Sequence, residues 1–119
     1  MDRNHFEELV EQALASLPPE FADRLDNVSV VVDDLASPEQ IQKVSIRNPH
    51  ELLGLYEGIP LTSRPNAYAG ALPDTISIFR IPIEEICRND DEIRAQVRNT
   101  VMHELGHYFG MSERELRDI

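Results

Sequence analysis

Residues 90–109, DDEIRAQVRNTVMHELGHYF, form the longest regular stretch of the chain, and a single helix accounts for all of it. Asn89 or Asp90 can cap its start through a side-chain oxygen. Gly110 can close it, because glycine readily takes the left-handed conformation that ends many helices. At about 100° per residue, Val97, Val101, Leu105 and Tyr108 fall on one stripe, with Ile93 and Phe109 at its borders. That stripe predicts the face turned to the core. A chain of 119 residues fits one compact domain, 1–119, so a helix this long must run along its core.

Fewer signals mark the remainder. Phe6, Leu9, Val10, Ala13, Leu14 and Leu17 recur at helical spacing over residues 4–17, and Pro18 and Pro19 stop that helix. Residues 27–33, NVSVVVD, predict a mostly buried strand. Residues 75–81, TISIFRI, alternate and predict a second one, and the flanking Pro73 and Pro82 suit a strand on the edge of a sheet. A short strand is expected around residues 53–56, a helical turn opening at Ser37-Pro38, and a short helix after Pro82. Residues 48–74 are the least regular part, with prolines and glycines throughout, and loops of that length in a small domain are usually functional or mobile. The expected fold class is α+β: a small mixed sheet packed against the N-terminal helix and the helix over 90–109.

Charge narrows the partners. The formal net charge is −11, and the 11 Lys and Arg residues are scattered, whereas nucleic acid or an anionic membrane surface requires them clustered. No apolar run approaches the roughly 20 residues that span a bilayer. The acidic, amphipathic start MDRNHFEELVEQ does not read as a secretory signal, and Cys87 has no second cysteine to pair with. A cytoplasmic protein is the expectation.

Chemistry concentrates on the long helix. His103 and His107 are four apart and share a face to one side of the apolar stripe. Glu104 falls inside the apolar sector, at the border facing the histidines, where a carboxylate costs stability unless it is paired or at work. Removing its charge is expected to be neutral or stabilising, unless Glu104 fixes a neighbouring backbone or pairs an arginine. Zinc chemistry accounts for all three placements. Two imidazoles one turn apart can hold one Zn²⁺ at about 2.0–2.1 Å, and the glutamate beside the first can act as general base on a water whose pKa the metal lowers towards about 7. Three residues beyond His107 lies Gly110, and three beyond that Glu113. Ser112 and Glu115 have capping-box spacing, so a short helix is expected from Glu113, whose side chain is either a third zinc ligand or a solvated carboxylate favoured by the helix dipole. His5 and His50 read as surface residues and Cys87 as a small buried hydrophobe. Tyr56, Arg64 and Tyr68 fall in the irregular region, where they serve either to stabilise an oxyanion or to pack.

His103-Glu104-Leu105-Gly106-His107 matches the HExxH motif of zincins, and its continuation through Gly110 to Glu113 resembles the HExxHxxGxx(H/D/E) pattern of metzincin-type sites. Together with LLGLYEGIPLTSR at 52–64, LPDTISIFRIPIEEIC at 72–87 and TVMHELGHYFGMSERELRDI at 100–119, the chain resembles a family of small bacterial zincin-like metallopeptidases. The resemblance implies a compact α+β zincin-like fold with the HExxH helix near the C-terminus. It also implies His103 and His107 as zinc ligands, Glu104 as the base and Glu113 as the third ligand. Metzincins carry a His or Asp at this third position, so Glu113 is a departure from them.

Two functions follow. The first is zinc-dependent hydrolysis of a peptide bond, with a peptide or protein substrate extended along a sheet edge near residues 75–80 by β-augmentation. The second is a binding module that holds zinc without turnover. A catalytic zinc keeps one position open for water, whereas a structural one is closed by four protein ligands, and His103, His107 and Glu113 supply three.

Overall fold

The computed structural model describes residues 1–58 and 73–110. Five helices are described: α1 (Arg3–Ala15), α2 (Pro19–Ala22), α3 (Pro38–Lys43), α4 (Arg80–Ile86) and α5 (Asp90–Tyr108). Three strands accompany them: β1 (Val28–Asp33), β2 (Gly54–Glu57) and β3 (Asp74–Phe79). Local chemistry sets the helix ends. Asp2 caps α1 by accepting the N–H of Asn4, and Asn89 caps α5 by accepting that of Glu92. Ser37 and Gln40 form a reciprocal capping box at the start of α3. α1 ends at Ala15, ahead of Pro18, and Pro19 starts α2, since the first position of a helix needs no donor.

The strands form a mixed sheet in the order β1-β3-β2, with β1 parallel and β2 antiparallel to β3. This corrects two expectations. Residues 75–80 are not an edge: β3 is the central strand, bonded on both sides. Its prolines lie outside the ladder, Pro73 before the strand and Pro82 in the first turn of α4, where backbone N–H groups have no intrahelical acceptor anyway. The strand over 27–33, expected to be mostly buried, is half-buried, and among the described residues β1 has a strand on one side only.

Alternation along β3 divides the interior. Ile76 and Ile78, both fully buried, join Phe6, Leu9, Val10 and Ala13 of α1 and Ile93, Val97, Val101 and Leu105 of α5 in the main core. Ser77 and Phe79 face the other way, where Phe79 packs with Ala36, Leu52 and Leu55 in a smaller cluster under α3. Each buried Leu, Ile or Phe contributes about 1.5–3 kcal/mol over its exposed state, so the sheet is clamped between two apolar layers. The stripe Val97, Val101 and Leu105 is buried as the periodicity requires. Tyr108 is not: it is 51% exposed, because residues 107–110 are exposed throughout and its ring packs on the edge strand instead of entering the core. Gly110 has φ +68°, the left-handed end expected of it.

Candidate functional site

Strand β2 lies alongside α5, and a glycine allows it. A Cβ added at Gly54 would meet the Thr100 Cγ2 at 2.6 Å and the Ser77 carbonyl oxygen at 3.0 Å, so only glycine lets the strand backbone sit this close to the helix. One turn along α5 from Thr100 comes Glu104, whose Oε1 accepts the backbone N–H of Tyr56 at 2.9 Å. The ladder explains why this N–H is available. Phe79 donates to the Leu53 carbonyl, which makes 53 and 79 a hydrogen-bonded pair; alternation then turns the peptide groups of Gly54 and Tyr56 away from β3, to the side of β2 that has no strand among the described residues. The half-buried Glu104 therefore has a specific backbone partner, the exception that the sequence reading allowed for.

The edge is pinned further by aromatic contacts. The ring of Tyr56 stacks on that of Tyr108, four residues on from Glu104, with centroids 4.0 Å apart, and the Tyr56 hydroxyl donates to Asp74 at 2.7 Å. Phe109 meets both tyrosines edge-on and carries the Arg24 guanidinium 5.0 Å above its ring. Sequence reasoning missed this cluster. The i, i+4 spacing from Glu104 to Tyr108 was its one local signal, as the isolated glycine in LLGLYEG was for the close approach at Thr100.

His103 and His107 are both exposed on α5, with ring centroids 6.2 Å apart and planes inclined by 56°. Two imidazoles on one tetrahedral zinc, each nitrogen at about 2.0–2.1 Å, place their centroids about 5 Å apart, so these rings need to close by about 1 Å. Exposed side chains do this by small χ rotations. The donor chemistry fits zinc as far as it is described: two imidazoles on one helical face with a carboxylate beside them. Among the described residues no third His, Cys, Asp or Glu completes a metal-holding group. Glu113, expected as the third ligand, lies outside the described residues, as do Arg64, Tyr68 and the helix expected from Glu113.

Next to this pair a cavity of ≈ 220 Å³ is lined by Leu52, Leu53, Gly54, Gln96, Thr100, His103 and Glu104. Gln96 donates to the Thr100 hydroxyl at 3.1 Å within it. The remaining candidates stand apart. His5 bonds Asp90 at 2.8 Å and His50 bonds Glu85 at 2.7 Å, both at the surface. Cys87 is half-buried against the main core, and burial pushes its thiol pKa up, with Glu92 adding to the effect, so it is held as a thiol rather than a nucleophile.

No helix among the described residues is long and apolar enough to cross a membrane. The model of a family described as zincin-like metallopeptidase matches residues 25–119, from the turn before β1 through α5 and beyond. No curated protein matches the chain.

Proposed function

Since the chain belongs to the zincin-like metallopeptidase family, we propose that it hydrolyses peptide bonds with zinc held by His103 and His107, Glu113 completing the site, and with Glu104 as general base. The observation that carries this is the position of Glu104, one residue from His103 and directed by the Tyr56 N–H onto the wall of a cavity. Zinc, when bound, supplies a Lewis acid that polarises a carbonyl and brings the pKa of a water towards about 7. Glu104 takes the proton of the attacking water and passes it to the leaving amine. Because the Tyr56 N–H engages Oε1, Oε2 is the oxygen left for that transfer, and the carboxylate is aimed before substrate arrives.

The substrate lies extended along the edge of β2 rather than along β3, because β3 is paired on both sides while Gly54 of β2 lines the cavity beside His103 and Glu104. Main-chain pairing there is sequence-tolerant, and side-chain selection falls to the pocket formed by Leu52, Leu53, Gln96 and Thr100.

A second reading draws on the same contact. A carboxylate that fixes an edge-strand N–H has a structural task without any catalysis, which suits a module that binds zinc and a partner but does not turn over. Metal analysis of the purified protein, His103→Ala and His107→Ala, followed by cleavage of a broad peptide library by the wild type and Glu104→Gln, separates the readings. About one zinc per chain, lost in both histidine variants, with cleavage abolished by Glu104→Gln, supports the peptidase. Zinc retained without any cleavage supports the binding module, and zinc content unchanged by His107→Ala overturns both.

A further inference from the structure

The opposite edge of the sheet carries a second groove. Asp74 donates to the Asn27 carbonyl, and in a parallel ladder a strand's alternate residues turn both backbone groups to the same side. The residues of β1 bonded to β3 are therefore Ser29, Val31 and Asp33, while Val28, Val30 and Val32 turn N–H and C=O to the side that has no strand among the described residues. The Arg3 side chain bears this out by donating to the Val32 carbonyl. Beside this edge runs one face of α1, with Arg3, Glu7, Val10 and Leu14 spaced three and four apart and Glu11 next to Val10. Helix and strand edge enclose a groove of ≈ 390 Å³, larger than the cavity beside His103.

We propose that this groove docks an extended, basic segment of a partner protein, which adds to β1 as a further strand. Three observations select that occupant. The backbone groups of Val30 have no strand partner among the described residues, so an incoming chain finds both a donor and an acceptor. The wall is apolar at its base, with Val10, Leu14 and Val30, which suits alternate side chains of a strand. Its charged residues are Glu7 and Glu11 with Arg3, and Arg3 is already bonded to Glu7 at 3.4 Å and to Val32, which leaves Glu11 as the carboxylate facing the groove without an ion pair among the described residues. In a chain of net charge −11 the groove favours a cationic guest and disfavours a second copy of the same chain. The proposal does not depend on the peptidase reading, because the groove lies across the sheet from α5's histidines and shares no residue with that cavity.

The test uses a blocked peptide of alternating lysine and valine, with a glutamate-for-lysine peptide as its counterpart, followed by amide chemical shifts of the labelled protein. Saturable binding of the basic peptide, with shifts confined to α1 and β1 and weakening as salt rises, is the expected result. Glu7→Lys combined with Glu11→Lys should weaken it ~10-fold or more while leaving the fold intact, since both side chains lie on the surface. Val30→Pro removes the edge donor without breaking the ladder to β3 and should abolish binding if the variant folds. Equal binding of the acidic peptide, shifts elsewhere, no saturation, or self-association through β1 in place of peptide binding would each overturn the proposal.

Discussion

The Glu104 carboxylate and the Tyr56 backbone N–H, 48 positions apart in the chain, meet at 2.9 Å and join the HExxH helix to the edge of the sheet. Glutamine keeps an oxygen at the acceptor position, whereas alanine leaves the N–H without its partner. Glu104→Gln should therefore unfold within about 1 kcal/mol of the wild type, and Glu104→Ala should lose about 1–3 kcal/mol. Urea titrations of the three proteins check this. An alanine variant as stable as the wild type would show that the contact contributes nothing to the fold.

Gly54 makes that contact reachable. Gly54→Ala places a methyl group against Thr100 Cγ2 and the Ser77 carbonyl, so β2 must move away from α5. A loss of about 1–3 kcal/mol is expected from the overpacking. Gly54→Ala with Thr100→Ser, which removes the opposing Cγ2, should recover part of it, and thermal midpoints of the single and double variants measure the difference.

Val101 is fully buried among α1, α5 and the sheet. An aspartate there has no cation to pair with in that apolar cluster, and its cost of about 4–5 kcal/mol or more is comparable with the stability of a domain this size. Val101→Asp should be unfolded by circular dichroism at 25 °C, and a cooperative melt near the wild-type midpoint would contradict the assigned helix face.

The pair Lys43–Glu57, at 2.7 Å, ties α3 to β2 on the other face of the sheet. The hydrogen bond from Lys43, and then that from Gln40, holds the Glu57 carboxyl below its ordinary 4.5, and the bond to Glu57 raises Lys43 above 10.5. A depressed carboxyl stabilises the fold above its unfolded pKa and loses that contribution as pH falls through the folded value. A raised ammonium stabilises below its unfolded pKa and loses it as pH climbs through the folded one. The pair is thus fully effective between about 4.5 and 10.5. Glu57→Gln should flatten the decline of the urea midpoint below pH 4.5, and an unchanged slope would show the pair to be without effect.

What could be read from the chain alone was whatever short-range geometry dictates. The caps at Asn89 and Ser37, the buried stripe on α5, the left-handed Gly110 and the His103–Glu104–His107 arrangement all depend on residues within one or two turns of each other. Strand order did not follow from such patterns. The alternation of TISIFRI records only that two faces are covered; it is the same for an edge strand as for a central one, and prolines just outside the ladder look identical to prolines on an edge. Pairing of β3 with strands that begin 46 residues before it and 20 before it, and the arrival of Tyr56 at Glu104, required the chain to close on itself. Tyr108 is the clearest case, since helical periodicity assigned it to the core and only the position of β2 decided that its ring would stack on Tyr56 at the surface.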